Sequence, residues 1–475
     1  MNMTSRPDSR DRPEYETSLG YMLKLSGPMI VSTISLTLMQ FIDRIMISRL
    51  GTDALAAVLP AGFVALLPGG FALGAMTSLN TFVSQSLGRG EKAECSSYFW
   101  QMTYMGTLYF LLVAAILWPA APAIFRLMGQ PAGVIQLEVI YFRILLVAHI
   151  AAVINWSSNQ FFMGIHRPIV TMFSSLIGQA VNIVANYALI FGKFGLPAMG
   201  IAGAGWGTCI GIGAAAIINM GVFLSSPVNE AFQSRRSLEP DPAKMRSLLA
   251  VGVAAGVGLV LNVAVWGVML SALVGRFGEG ALAATSAVLA YTNLSAMPIV
   301  GISTALSASV GKAIGAGRKD RAVQQTRICM RMGMIYMGLT GLCFLLLRRP
   351  LMRFWSQDPR VIQAGSQILI CAALYQVFHA ARIIYGGALR GAGDTVWQAV
   401  VAGIGAVVIL GIGGSLTVWF FPESGAIGPW IVATLSIVAI GLANRWRFFS
   451  GRWMEIDLFR HRAATVPLTA DPTGE

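Results

Sequence analysis

Long apolar runs recur along the whole chain and constrain its fold more than any other feature of the sequence. Each run holds about 20 residues or more, enough for a helix to cross a hydrocarbon core of about 30 Å. The 475-residue chain is 55% hydrophobic and 12% charged, whereas an average soluble domain is roughly a quarter charged. The sequence therefore predicts an all-α membrane protein with about 12 transmembrane helices.

Glycine, proline and charged residues divide the apolar runs into two groups of six. The first six predicted spans are 20–48, 54–86, 94–118, 134–160, 168–192 and 199–224. The second six are 248–275, 281–312, 325–347, 361–388, 396–421 and 426–444. The predicted domains are a cytoplasmic N-terminal tail (1–18), an N-lobe with spans one to six (19–224), a cytoplasmic linker (225–247), a C-lobe with spans seven to twelve (248–448) and a cytoplasmic C-terminal tail (449–475).

The basic residues lie in short segments between the apolar runs, although the net charge is +13. This placement is typical of membrane topology and argues against a nucleic-acid partner. Alternating the connections puts about 23 Lys and Arg on one side and about 8 on the other, and the richer side is the cytoplasmic one. We therefore expect a multi-pass protein of the cell inner membrane with both termini in the cytoplasm. The basic group at 348–360 fits this orientation least well, because it falls on the outer side.

An internal repeat relates the two groups of spans. Residues 49–57 match residues 276–284 at six of nine positions, at an offset of 227. Residues 87–92 match 314–319 at the same offset, and Gly164 falls 227 residues before Gly391. Six spans per half make the two halves enter the membrane from the same side. This parallel symmetry is common among transporters that alternate access between two lobes, and a channel or a membrane scaffold could share it.

The same segments carry a resemblance to a known family. They include the run from Phe41 to Arg44, the serine- and glycine-containing segment 84–88, the asparagine-rich segment 182–192, the turn at 200–204 and the glycine-rich segment 387–395. Together and in this order they resemble the multidrug and toxic compound extrusion (MATE) family, with segment 187–203 most similar to its NorM-like branch. The resemblance implies two six-helix lobes around a central cavity and an efflux antiporter. It also implies export of organic, often cationic and amphipathic compounds in exchange for H⁺ or Na⁺.

Asp43 is the first candidate for ion coupling. It lies within the first span among apolar residues, where a carboxylate costs roughly 2.5–3.5 kcal/mol and usually has a role. Asn182 and Asn186 are spaced i, i+4 and therefore project from one face of span five. The resemblance implies that this pair forms a cation pocket with the first-helix carboxylate, with Thr208 as a less certain member. Helix–helix hydrogen bonding is the alternative role for these polar residues.

The second half departs from the family pattern. Where members with a C-lobe cation site carry carboxylates in spans seven and ten, this chain has Asn262 and His379. Arg382 lies one helical turn beyond His379, so these C-lobe cavity candidates predict an electropositive wall. A purely cationic substrate is accordingly less secure, and a structural role for both residues remains open. The missing carboxylates favour N-lobe proton coupling over Na⁺.

Motifs for other functions are missing from the sequence: it has no phosphate-binding loop, no nucleophile elbow and no metal-spaced set of His and Cys. We therefore expect no enzyme activity, no cofactor and no metal, except for a possible Na⁺ at Asp43, Asn182 and Asn186. The expected partners are an organic small-molecule substrate, H⁺ or Na⁺ and the lipid bilayer, with the protein a monomer. The alternatives are a flippase for a lipid-linked precursor, which twelve spans argue against, and a non-transporting receptor or scaffold.

Overall fold

Twelve long helices form the protein, as a computed structural model that describes residues 17–459 shows. They are long and apolar enough to cross a membrane, which confirms the predicted all-α membrane fold. Eleven are α1 (Leu19–Ser48), α2 (Thr52–Gly88), α3 (Lys92–Leu127), α4 (Ala132–Gly164), α5 (Pro168–Phe191), α6 (Ile201–Phe223), α8 (Pro242–Val268), α9 (Glu279–Gly315), α10 (Lys319–Leu346), α12 (Pro359–Ala392) and α15 (Ile427–Phe449). The remaining span joins α13 (Thr395–Ile404) to α14 (Gly414–Phe420), and two short helices, α7 (Ser226–Phe232) and α11 (Arg348–Trp355), lie between spans.

The helix boundaries reproduce the internal repeat. Helices α2 and α9 both have 37 residues, and their first residues lie 227 positions apart. The starts of α3 and α10, of α4 and α12, and of α5 and α13 are separated by the same 227 positions. Residues that match in the two halves therefore hold equivalent places in two helical bundles, as the sequence predicted.

The symmetry is most exact where α2 and α9 meet. A Cβ atom added to Gly88 would collide with the carbonyl oxygen of Lys312, and one added to Gly315 would collide with the carbonyl oxygen of Gln85. Gln85 and Lys312 are themselves repeat-equivalent residues. The two helices cross with backbones in direct contact, which only glycine permits at these positions.

One end of the molecule, which we call the linker side, carries the α2–α3, α4–α5, α9–α10 and α12–α13 turns together with segment 225–247. Here the two halves are joined by side chains that bond to backbone carbonyls. Thr81 Oγ1 donates to the carbonyl of Arg390 at 2.8 Å, and Gln85 Nε2 donates to the carbonyl of Gly391 at 3.0 Å. His166 Nε2 lies 3.2 Å from the carbonyl of Ala308. The two halves are therefore closed against each other on the linker side.

The C-terminal segment also crosses the linker side. Phe459 packs edge-on against Phe82 and Tyr98 of the first half, and the Arg89 guanidinium lies 4.4 Å from the centre of its ring. Part of the predicted C-terminal tail thus joins the two halves. Residues 1–16 of the predicted N-terminal tail and 460–475 of the C-terminal tail lie outside the described residues.

Several predicted span boundaries are too short. Helix α3 continues through Pro119 and Pro122 to Leu127, because a helix inside a membrane protein tolerates proline where neighbouring groups replace the lost bonds. Helix α8 begins at Pro242 rather than 248, since Asp241 caps it by accepting from the backbone amides of Ala243 and Lys244. Segment 225–247 is accordingly not only loop, because it contains α7 and the first turn of α8.

Arg390 was also misplaced by the sequence analysis, which counted it as a loop charge. It lies in the last turn of α12 and points inward. Its guanidinium donates to Ser303 Oγ at 2.9 Å and to Gln398 Oε1 at 3.3 Å. Hydropathy alone cannot show that the side chain of a terminal helical residue turns into the bundle.

Two spans of the second half contain π-helical segments. Residues Met269–Val274 extend α8, and residues Gly405–Gly413 join α13 to α14. A π-helical turn widens the helix and is frequent at functional sites. Both segments lie in the same half as Asn262, His379 and Arg382.

Candidate functional site

The N-lobe candidates Asp43, Asn182 and Asn186 meet in the structure. Asn186 Nδ2 donates to Asp43 Oδ1 at 2.7 Å and lies 3.3 Å from Asn182 Oδ1. Asn182 and Asn186 are buried, with 2% and 1% of their surface exposed, and Asp43 is half-buried. A short hydrogen bond to a carboxylate is among the strong ones in proteins, so Asn186 fixes the position of the Asp43 carboxylate against α5.

Two glycines of α6 make room for this cluster. A Cβ atom added to Gly207 would collide with Asn186 Oδ1, and one added to Gly211 would collide with Asn182 Cβ. Helix α6 therefore packs directly on the polar face of α5 and leaves the asparagines no space to turn away from α1. The glycine-rich run of span six thus positions the candidate site.

The orientation of the Asn186 amide decides what the cluster can hold. As assigned, its nitrogen faces the oxygens of Asp43 and Asn182, while its own Oδ1 has no hydrogen-bond partner among the described residues. Reversing the amide would present three oxygens to a cation, which are the ligands that hard cations such as Na⁺ prefer. The donor set therefore fits a hydrogen-bonded carboxylate as it stands and a small cation after one amide rotation.

Thr208 does not join this cluster in the structure. Its hydroxyl donates to the carbonyl of Ala204 in its own helix at 3.0 Å. Its neighbour Gly207, rather than Thr208, makes the close approach to Asn186. The structure thus brings together three of the four N-lobe residues that the sequence singled out.

The C-lobe candidates form a second polar cluster. Asn262 and Arg382 line one small cavity of about 20 Å³ between α8, α12, the π-helical segment of α13 and α15. Arg382 Nη2 lies 3.0 Å from His379 Nε2, and His379 is 8% exposed. No carboxylate of the described chain lies within ion-pair distance of Arg382. The cluster is therefore basic, as the sequence predicted.

Glu138 is a buried carboxyl group that the sequence analysis missed. It lies in the second turn of α4, its side chain is 0% exposed, and neither carboxylate oxygen has a hydrogen-bond partner among the described residues. Tyr141, one turn further along α4, is close enough to Asp43 for their charges to interact. The signal was available, since a single acidic residue inside an apolar run is unusual, but only Lys and Arg were counted in the spans.

A comparison with protein families assigns the fold. The model of the family described as MatE matches residues 28–188 and 257–414, which covers more than half of the chain and both halves of the repeat. The chain belongs to the MatE family. The resemblance that the sequence motifs suggested is confirmed.

Curated MatE relatives align over nearly the full length. A probable multidrug resistance protein NorM of Chromobacterium violaceum is 30% identical over 88% of this chain and 90% of its own length. The multidrug resistance protein PmpM of Pseudomonas aeruginosa is 28% identical over 94% of both chains. The NorM-like similarity that the sequence predicted is therefore confirmed.

Solved MatE structures share the fold. A MATE transporter in complex with the ligand MaL6 superposes with a TM-score of 0.84 at 18% identity, over 92% of this chain and 97% of that one. The Vibrio cholerae MATE transporter VcmN also gives a TM-score of 0.84, at 17% identity, over 94% of this chain and all of the other. These neighbours confirm the twelve-helix, two-lobe architecture of a multi-pass membrane protein.

Proposed function

We propose that this protein exports organic, amphipathic compounds in exchange for protons that bind at Asp43. The observation that carries the proposal is the 2.7 Å hydrogen bond from the buried Asn186 amide to the Asp43 carboxylate, inside the membrane-spanning part of the N-lobe. The names of its NorM and PmpM relatives, which are multidrug resistance proteins, support an organic substrate.

Proton binding at Asp43 changes the packing of α1 on α5. An ionised carboxylate accepts a strong, charge-assisted hydrogen bond from Asn186, whereas a protonated carboxyl group accepts a weaker one. Asn186 cannot follow α1, because Gly207 of α6 packs against it. Protonation therefore loosens α1 from the α5–α6 pair, which is a local change that can bias a two-state equilibrium.

Alternating access completes the proposed cycle. The bonds from Thr81 to Arg390 and from Gln85 to Gly391 hold the linker side closed, and they must break before a substrate enters from that side. We place the linker side, residues 225–247 and both termini in the cytoplasm, and the protein in the inner membrane as a monomer. The lobes that move are 19–224 and 248–448.

Transport in proteoliposomes tests this function. Vesicles with purified protein are loaded with ethidium, and its exit is measured under an imposed pH gradient, an imposed Na⁺ gradient or neither. We expect a pH gradient to accelerate exit at least tenfold in the wild type and to have no effect on Asp43→Asn.

Asp53→Asn is the matched control, because it removes a carboxylate at the start of α2, away from the cluster. It should behave as the wild type does. Full gradient-driven exit by Asp43→Asn would refute Asp43 as the coupling residue, and acceleration by Na⁺ alone would refute proton coupling. Flux that ignores both gradients would favour a channel or a non-transporting scaffold.

A further inference from the structure

Arg382 carries a positive charge inside the C-lobe that no group of the described chain neutralises. No carboxylate lies within ion-pair distance of it. The other buried cation of α12, Arg390, has its donors satisfied by Ser303 and Gln398. An arginine near the centre of a spanning helix costs roughly 2.5–3.5 kcal/mol even on the mildest scale, and buried charges are normally paired. Arg382 therefore calls for a counter-charge from outside the chain.

The hydrogen bonds around Arg382 leave donors unused. Arginine has no acceptor, so in its 3.0 Å contact with His379 the guanidinium Nη2 donates and His379 Nε2 accepts. A neutral histidine that accepts at Nε2 carries its proton on Nδ1. That Nδ1 and Arg382 Nε are both buried donors without a partner in the described chain. Positive charge and unmet donors coincide on one turn of α12, which is the requirement of an anion rather than of a cation.

The space beside Arg382 has a definite size. The cavity that Arg382 shares with Asn262 has a volume of about 20 Å³, and one water molecule needs at least about 10–15 Å³. The rest of its wall is mainly apolar, with Trp266 among its members and the Ser436 hydroxyl bonded to the carbonyl of Gly405. A single atom-sized ligand fits, whereas a carboxylate that belongs to a larger molecule does not.

The π-helical segment of α13 contributes directly to this cavity. Ala406 and Leu410 line it, and both belong to the segment Gly405–Gly413. Regular α-helical geometry is thus abandoned for nine residues at the place where the uncompensated arginine lies. Irregular helix at membrane depth is tolerated where it lines a cavity, and it is frequent at functional sites.

We propose that the C-lobe binds a small inorganic anion of the size of chloride on the Arg382 guanidinium, in the cavity between α8, α12, α13 and α15. Arg382 supplies the charge and the hydrogen bonds. His379 is a positioning residue, since its Nε2 holds one arm of the guanidinium. The anion neutralises the C-lobe interior and thereby stabilises this packing of the four helices. The site is separate from Asp43 and does not depend on the proposed coupling.

Halide-dependent stability tests the proposal. The full-length protein in detergent is melted in chloride, bromide or gluconate at constant ionic strength. Gluconate carries the same charge but is too large for the cavity. We expect chloride and bromide to raise the melting temperature by about 2–4 °C over gluconate. Bromide should also quench, saturably, the fluorescence that is lost in Trp266→Phe, because Trp266 lines the same cavity.

Variants of α12 locate the site. Arg382→Gln should abolish the halide effect, and Arg382→Lys should weaken it several-fold. Arg390→Gln removes an equal charge two turns away and should retain the full effect. Arg382→Gln should be at least as stable in gluconate as the wild type, because it no longer buries an unpaired charge, so loss of the effect cannot be mistaken for misfolding. Identical melting curves of the wild type in chloride and gluconate would show that only water fills the cavity and would overturn the proposal. Equal halide effects in the wild type and in Arg382→Gln would do so as well.

Discussion

Gly88 and Gly315 are repeat-equivalent glycines that pack against each other's helices across the interface between the two lobes. Gly88 lies against the carbonyl of Lys312 in α9, and Gly315 against the carbonyl of Gln85 in α2. Each position is 227 residues from its counterpart, so the internal repeat places two equal contacts around one pseudo-two-fold axis. The linker side closes through backbone contact rather than through side-chain packing.

A methyl group at either glycine should weaken this closure. In Gly88→Ala or Gly315→Ala the new Cβ atom meets a backbone oxygen that cannot move aside, at a cost of about 1–3 kcal/mol. The equilibrium should shift roughly 5- to 150-fold toward states that are open on the linker side. The measurement is the rate of thiol labelling of Ser78→Cys in a cysteine-free background, since Ser78 is buried where α2 meets α8.

Gly62→Ala is the matched control. Gly62 lies in the same helix, and a Cβ atom there meets nothing within 4 Å. Its labelling rate should equal that of the unsubstituted protein. Labelling that stays slow in both interface variants would show that the glycine contacts do not hold the linker side closed.

Substitutions in the N-lobe cluster should rank by their distance from Asp43. Asn186→Ala removes a hydrogen bond to a charged group, worth about 1.5–3 kcal/mol, and should slow proton-driven exit roughly 10- to 100-fold. Asn182→Ala should be milder, because the Asn182 oxygen only meets the Asn186 amide at 3.3 Å. Thr208→Val should stay within about twofold of the wild type, since its hydroxyl bonds within its own helix.

Initial rates of ethidium exit from proteoliposomes, normalised to the amount of inserted protein, provide this ranking. The order would be contradicted if Thr208→Val were the most damaging of the three. That result would place Thr208 in the ion pathway in another conformation of the protein.

Much of the fold could be predicted from the sequence because the bilayer imposes its own length on every span. Apolar runs and the constant offset located the twelve helices and their pairing. The boundaries were less accurate, because helices such as α3 extend beyond the hydrocarbon core and carry polar residues there. The π-helical segment at Gly405–Gly413 left no trace in the pattern, since it differs from an α-helix only in the register of its hydrogen bonds.

The candidate site was predictable to the extent that polarity alone selects residues. Asp43, Asn182 and Asn186 stood out because polar groups are costly in a membrane, and i, i+4 spacing joined the two asparagines. The direction of a hydroxyl is not encoded in this way, so the bond of Thr208 to Ala204 could not be foreseen. The inward turn of Arg390 likewise depends on Ser303, which is distant in the sequence.

The ion pair between Asp394 and Arg447 should contribute to the stability of the C-lobe. Arg447 Nε donates to Asp394 Oδ2 at 2.7 Å, and the Asp394 side chain is 5% exposed. Asp394→Asn removes the charge that balances Arg447, and we expect it to destabilise the protein by about 2–3 kcal/mol, below the 3–5 kcal/mol of a fully buried pair because Arg447 is partly exposed. Thermal unfolding in detergent measures the loss.

The double variant Asp394→Asn with Arg447→Met separates the pair from its surroundings. It should recover most of the stability that Asp394→Asn loses, since no charge is then left unpaired. Equal losses in the single and double variants would mean that Arg447 does not depend on Asp394. The cation–π contact of Arg447 with Trp397, at 5.2 Å, would then account for its position.

Glu138 should limit the stability of the N-lobe rather than support it. Its carboxyl group is fully buried and has no hydrogen-bond partner among the described residues, whereas its neighbours Val134, Val139 and Phe142 belong to an apolar cluster. Replacing a buried polar group that has no partner with an apolar one of similar size is neutral or stabilising. Glu138→Leu should therefore raise the stability by about 1–2 kcal/mol in thermal unfolding, while Glu138→Gln, which keeps a polar group there, should give no gain. A loss of stability in Glu138→Leu would reveal that the carboxyl group has a partner in solution. If such a loss were accompanied by slower proton-driven exit, Glu138 would join Asp43 among the residues that carry the proton.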